Sequence, residues 1–127
     1  MLERKNLGEA DEVRTFTRGR MEIVNLPGFV LGRAIFEPGW RWSTDVKPFA
    51  KTESCQIAHA SLILSGRMRV RLDDGTEMDL AAGDAHVVPP GHDAWVVGDE
   101  PLVSIDVISV GLSGTPGAGA GVVGEPG

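Results

Sequence analysis

Apolar and polar residues alternate along much of this chain in short runs, separated by glycine, proline and aspartate. The clearest run is 67–72, where Met68, Val70 and Leu72 alternate with Arg67, Arg69 and Arg71. A period of two places the apolar three on one face of a strand and the arginines on the other. Asp73-Asp74-Gly75 follows, and Gly75 suits the positive φ of a tight turn. "TEMDL" then returns as a second strand. The pattern predicts an antiparallel hairpin with Met68, Val70 and Leu72 buried. Its arginines are expected to be exposed and to face Glu77 and Asp79 across the hairpin.

The same punctuation recurs on both sides. "MEIVNL" and "GFVLGRAIF" read as strands joined at Pro27-Gly28, and "EPGWRWSTDVKP" reads as a loop opened by Pro38-Gly39. After the hairpin come the turn "AAGD", the strand "AHVV", the sharp loop "PPG", and the strands "DAWVV" and "PLVSIDVISV". The last alternates weakly, as a strand partly covered on both faces does. Residues 1–20 are polar with scattered Leu2, Leu7, Val13 and Phe16, and read as a frayed helix or an extended arm. No amphipathic helix is expected after residue 20. Residues 111–127 hold seven Gly and two Pro, too little apolar surface to offset ordering, so a disordered tail is expected. The expected division is a polar arm at 1–20, an all-β barrel at 21–110 and the tail. Seven or more short strands with turns every eight to twelve residues make a sandwich or barrel.

Composition narrows the functions open to such a fold. A chain of 127 residues is one domain with a core of its own. The formal charge of −6 argues against nucleic acid and against an anionic membrane surface. Cys55 is the only cysteine, so no internal disulfide can form. The mixed-charge start lacks the apolar core of a signal peptide, and a cytoplasmic location is the expectation. No GxGxxG, P-loop or Gly-x-Ser-x-Gly elbow is present, so no nucleotide cofactor is expected.

Candidate chemistry gathers in "ESCQIAHASLILSGRMRV". If this segment is extended, Glu53, Cys55 and His59 share a face with Ile57, Ser61 and Ile63. Two residues four apart on a straight strand lie about 13 Å from each other. Cys55 and His59 can therefore meet at one ion, or as nucleophile and base, only if the chain bends between them.

Two stretches resemble the cupin superfamily. "AAGDAHVVPPGHDAW" is similar to its second motif, with Gly83, Pro89 and Gly91 in the family's spacing. "HASLILSGRMRV" is similar to the end of the first motif, closing at Gly66. The resemblance covers roughly residues 30–110. It implies a double-stranded β-helix (jelly-roll) barrel, usually a homodimer, with any metal held inside. Counting from Gly66 places His59 at the acidic ligand position and Cys55 and Glu53 at the two histidine positions. Counting from Gly91 places Ala94, which cannot bind a metal, at the second-motif histidine. The loop "WRWSTDVKPFAKT" is an insertion in the first motif. His92 stands two residues before Ala94 on the same parity, and His86 falls where the family's residue faces the interior.

These positions carry two readings. Cys55, His59 and His92, with Glu53, can form a site for a divalent transition metal such as zinc, iron or nickel. Otherwise they form a hydrogen-bonded polar core with a buried thiol. Trp40, Trp42, Trp95 and His86 either line a ligand pocket or plug the barrel. The expected function is a small-molecule-binding cupin, with metal-assisted oxidation or isomerisation of a small polar substrate as what the family implies. The alternative is a non-catalytic cupin, a ligand sensor or a dimeric structural module with a degenerate metal site.

Overall fold

The computed structural model describes residues 2–111 and 121–122. After a single 3-10 turn at Leu7–Glu9, strand β1 (Glu12–Phe16) opens the sheet. It pairs antiparallel with β2 (Gly19–Leu26), which pairs with β3 (Phe29–Phe36). Two single-turn helices follow, α1 (Trp42–Asp45) and α2 (Lys47–Ala50). The remaining strands are β4 (His59–Ser65), β5 (Arg67–Leu72), β6 (Glu77–Ala81), β7 (Ala85–Val88), β8 (His92–Val96) and β9 (Leu102–Val110). Gly121–Val122, β10, pairs with the end of β9.

Two antiparallel sheets face each other. One runs β1-β2-β3-β9-β4-β7 with β10 beside β9, and the other runs β6-β5-β8. The main core lies between them, where Ile63 and Leu102 are fully buried and Met68, Val70 and Leu80 pack from the small sheet. This is an all-β jelly-roll barrel, as the cupin resemblance implies.

The 67–81 hairpin has the expected register, with Arg69 opposite Asp79 and Arg71 opposite Glu77. Met68 and Val70 are buried, Leu72 packs partly against the core, and the Arg69 guanidinium grips both Asp79 oxygens at 2.6 and 3.1 Å. Gly28 and Gly75 take the positive φ values that their turns require.

Three expectations are corrected. Residues 12–26 form a hairpin turning at Thr17-Arg18, so the arm joins the sheet before Met21. The loop after Pro38-Gly39 holds α1 and α2, which are too short to show a helical period. The extended reading of 53–59 also fails, because β4 begins only at His59 and the preceding residues follow an irregular path. Most of the expected tail lies outside the described residues.

Candidate metal centre

The site is assembled where an irregular segment crosses the edge of the small sheet. Cys55 makes an isolated antiparallel bridge to His92, the first residue of β8. Its N–H donates to the His92 carbonyl at 2.7 Å, and the Gly91 N–H donates to the Cys55 carbonyl at 2.7 Å. Ser54 and Gln56 side chains hold the bend: Ser54 Oγ donates to Asp73, and Gln56 Nε2 donates to Ser54 Oγ. Three residues of non-ladder chain then carry the backbone round to His59. The thiol of Cys55 thus comes to 3.8 Å from His59 Nε2.

His92 completes the group. One ligand atom from each of Cys55, His59 and His92 lies within 4.8 Å of the others, and the two imidazoles meet edge to face with centroids 5.3 Å apart. His92 Nδ1 donates to the Pro89 carbonyl at 2.7 Å, which fixes the tautomer and leaves Nε2 with its lone pair. The Pro-Pro-Gly loop therefore orients this candidate donor.

Burial sets the protonation. It pushes the Cys55 thiol above its ordinary value, against the pull of the Ile57 backbone N–H. It also holds His59, His86 and His92 below theirs, with Asp106 drawing His59 and His86 partly back. At neutral pH the cluster offers two neutral imidazoles and a thiol, so a metal need displace only the thiol proton.

The donor set fits a borderline transition metal. A tetrahedral zinc ion bound at about 2.3 Å to sulfur and about 2.0 Å to nitrogen separates those donors by about 3.5 Å, close to the 3.8 Å seen between Cys55 and His59. Ala94, buried at the fourth family position, supplies no donor.

Two sequence candidates fall elsewhere. The Glu53 side chain is 98% exposed and pairs with Lys47 at 2.9 Å, outside the cluster. Counting from Gly66 assigns it a histidine position, but the irregular chain before β4 leaves its side chain in solvent. Trp95 faces away from the interior, on the opposite side of β8 from His92 and Ala94, and lies beneath the Arg41 guanidinium at 4.3 Å. Trp40, Trp42 and His86 line a cavity of about 570 Å³ that also reaches Cys55, His59 and His92. Sequence reasoning missed Asp106, which lines the same cavity. Its signal was the shared parity of Leu102, Ser104, Asp106 and Ile108, the inward face of β9.

A family model described as the EutQ-like cupin domain matches residues 34–103, more than half of the chain. The chain belongs to this cupin family. The resemblance carried by Gly66 and by Gly83, Pro89 and Gly91 is therefore borne out. No match appears among the curated proteins. Solved structures similar to this cupin include a protein of unknown function from Acidithiobacillus ferrooxidans, 22% identical with a TM-score of 0.56, covering 76% of this chain and 85% of that one. An RmlC-like cupin from Shewanella frigidimarina is 18% identical with a TM-score of 0.54, over 84% and 91% of the two chains. The oxalate decarboxylase of Lactobacillus farciminis, in a formate complex, is 19% identical with a TM-score of 0.55; the match covers 76% of this chain and 30% of that larger one. At these identities the likeness is one of fold. No helix among the described residues is long and apolar enough to cross a membrane.

Proposed function

We propose that this cupin binds a small molecule inside its barrel beside a divalent transition metal held by Cys55, His59 and His92. The observation that carries the reading is the convergence of these three donors within 4.8 Å at the wall of the cavity. A thiolate and two imidazoles favour zinc, iron or nickel over magnesium or calcium. With Ala94 in the fourth position, three protein donors leave a coordination position for water or ligand, the pattern of catalytic rather than structural sites. A bound ion would supply Lewis acidity there. The protein's own part is to orient His92 through Pro89 and keep both imidazoles neutral. Oxidation or isomerisation of a small substrate in the cytoplasm is the activity class this site would serve. Elemental analysis of protein purified without an affinity tag tests the reading, with about one equivalent of metal expected and none in Cys55→Ser.

The partner proposed is a second copy of the chain. The outward face of β4, β7 and β9 carries Leu62, Leu64, Val87, Val103, Ile105 and Val107 near one another, bordered on β3 by Arg33, which stands opposite Ile105 and is ion-paired to Glu22. Leu62, Leu64 and Val87 are 40%, 48% and 80% exposed. None of these six positions is charged, so a two-fold axis would set the patch against itself without repulsion.

A further inference from the structure

The cavity wall opposite the small sheet has a polar row that the metal reading does not use. Across β7, β4 and β9, His86, Ser61 and Asp106 stand side by side in register. Ser61 Oγ donates to Asp106 Oδ1 at 2.6 Å, and Ser104 Oγ donates to the same oxygen at 3.3 Å. Both hydroxyl protons are thus committed to one atom. Oδ2 takes no hydrogen bond among the described residues, although a carboxylate offers about four lone-pair sites. The wall therefore presents a fixed acceptor and asks for a donor.

We infer that the cavity takes a neutral hydroxylated aromatic compound, its ring against the tryptophan wall and its hydroxyl donating to Asp106. This deepens the reading of the barrel as a small-molecule site, and only the exclusion of an ammonium draws on the metal. Phe36 and Trp40 stack at 4.0 Å between centroids, Phe16 tilts onto Phe36 at 5.8 Å, and Trp42 joins them in lining the cavity. Such a surface suits a flat apolar body, and about 570 Å³ lies within the range of small-ligand sites.

Charge decides between ligands of the same shape. An aromatic carboxylate would set its charge against Asp106. Arg14, which also lines the cavity, is ion-paired to Glu12 at 3.1 Å. An aromatic ammonium would satisfy Asp106 but meet repulsion from a divalent ion on the neighbouring cluster. The phenol class satisfies both ends of the cavity.

Quenching of tryptophan fluorescence by p-cresol, benzoate and benzylamine at pH 7 tests this on the full chain, metal-free and zinc-loaded. In metal-free protein p-cresol is expected to bind at least about tenfold tighter than benzoate, and in zinc-loaded protein tighter than benzylamine. Asp106→Asn removes the charge that strengthens the hydrogen bond, so p-cresol should weaken by about tenfold while benzoate gains. Benzoate binding as tightly as p-cresol in the metal-free protein, or benzylamine doing so in the zinc-loaded protein, would overturn the inference, and needs no variant to fold. So would an unchanged p-cresol affinity in folded Asp106→Asn. Failure of zinc to bind, with the p-cresol preference intact in metal-free protein, would remove the metal reading alone.

Discussion

Cys55 Sγ lies 3.8 Å from His59 Nε2, although only a bend in the chain can bring residues four apart so close. A straight strand would hold them about 13 Å apart. The bend exists because Cys55 pairs with His92 across the sheet edge rather than with a neighbour of β4. One backbone bridge thus brings all three donors together.

Metal binding should follow this convergence residue by residue. Cys55→Ser, His59→Ala and His92→Ala are each expected to abolish stoichiometric zinc, and Glu53→Gln to leave it unchanged. Zinc at about 100 times its dissociation constant should stabilise the unmodified protein by about 2.7 kcal/mol. Elemental analysis and thermal melts with and without zinc read both effects.

The metal-free protein should have a bounded stability plateau. His59, His86 and His92 have folded values below the ordinary 6.5, so between those values and 6.5 the unfolded chain binds more protons. Stability is full above about pH 6.5 and falls as the pH drops through the folded values. Cys55 acts at the other end: its folded value lies above 9.0, so its contribution is present below that pH and lost as pH rises through the folded value. Urea unfolding from pH 5 to 10 checks both edges. A flat profile below pH 6.5 would contradict the buried neutral imidazoles.

The contrast between legible and illegible features is physical. The 67–81 hairpin could be read because period-two alternation and the Asp-Asp-Gly turn are local signals. Cys55, His59 and Glu53 were all found through motif spacing, yet the extended strand invoked for them is absent, and Glu53 falls outside the cluster. What joins Cys55 to His59 is a bridge to a residue 37 positions further on, His92, and no local pattern records it. Asp106 stayed hidden because the inward face of β9 mixes Leu102, Ser104, Asp106 and Ile108, which blurs the apolar alternation that would have shown the face.

Two ion pairs should differ in worth. Arg69–Asp79 is exposed on both sides, and Arg69→Ala should cost no more than about 1 kcal/mol. Arg18 holds Asp45, whose side chain is 2% exposed and also accepts from the Arg41 backbone N–H. Arg18→Ala leaves that carboxylate buried without its cation, and should cost about 3 kcal/mol. It should also loosen α1 over the cavity. Denaturant titrations of the two variants side by side decide this, and equal losses would contradict it.

Gly66 closes the first motif at φ +82, and a Cβ there would meet the Pro101 carbonyl oxygen at 2.5 Å and Leu102 Cα at 2.8 Å. Both are backbone atoms at the start of β9 and cannot swing aside. Gly66→Ala should therefore cost clearly more than the roughly 1 kcal/mol of an unfavourable φ alone. Gly75 has a similar φ of +92 with nothing within 4 Å. Gly75→Ala should cost only the φ strain, about 1 kcal/mol. A thermal-melt comparison in which the two lose equal stability would show that the β4–β9 approach is not tight.

The apolar outward face predicts the state of the protein in solution. Leu62 lies opposite Ala85 on β7 and Ile105 on β9, at the middle of the uncharged patch. A two-fold contact brings each protomer's Leu62 close to its counterpart's patch, so a charge placed there is introduced twice in one interface. Leu62→Asp is expected to convert a dimer into a monomer while leaving the fold intact, because the position is 40% exposed within the protomer. Met78 is 61% exposed on β6, at the edge of the other sheet, and Met78→Asp should leave the dimer unchanged. Sedimentation equilibrium across a concentration series measures both variants against the unmodified chain. A monomeric unmodified protein, or a dimer untouched by Leu62→Asp, would leave this face without the partner proposed for it.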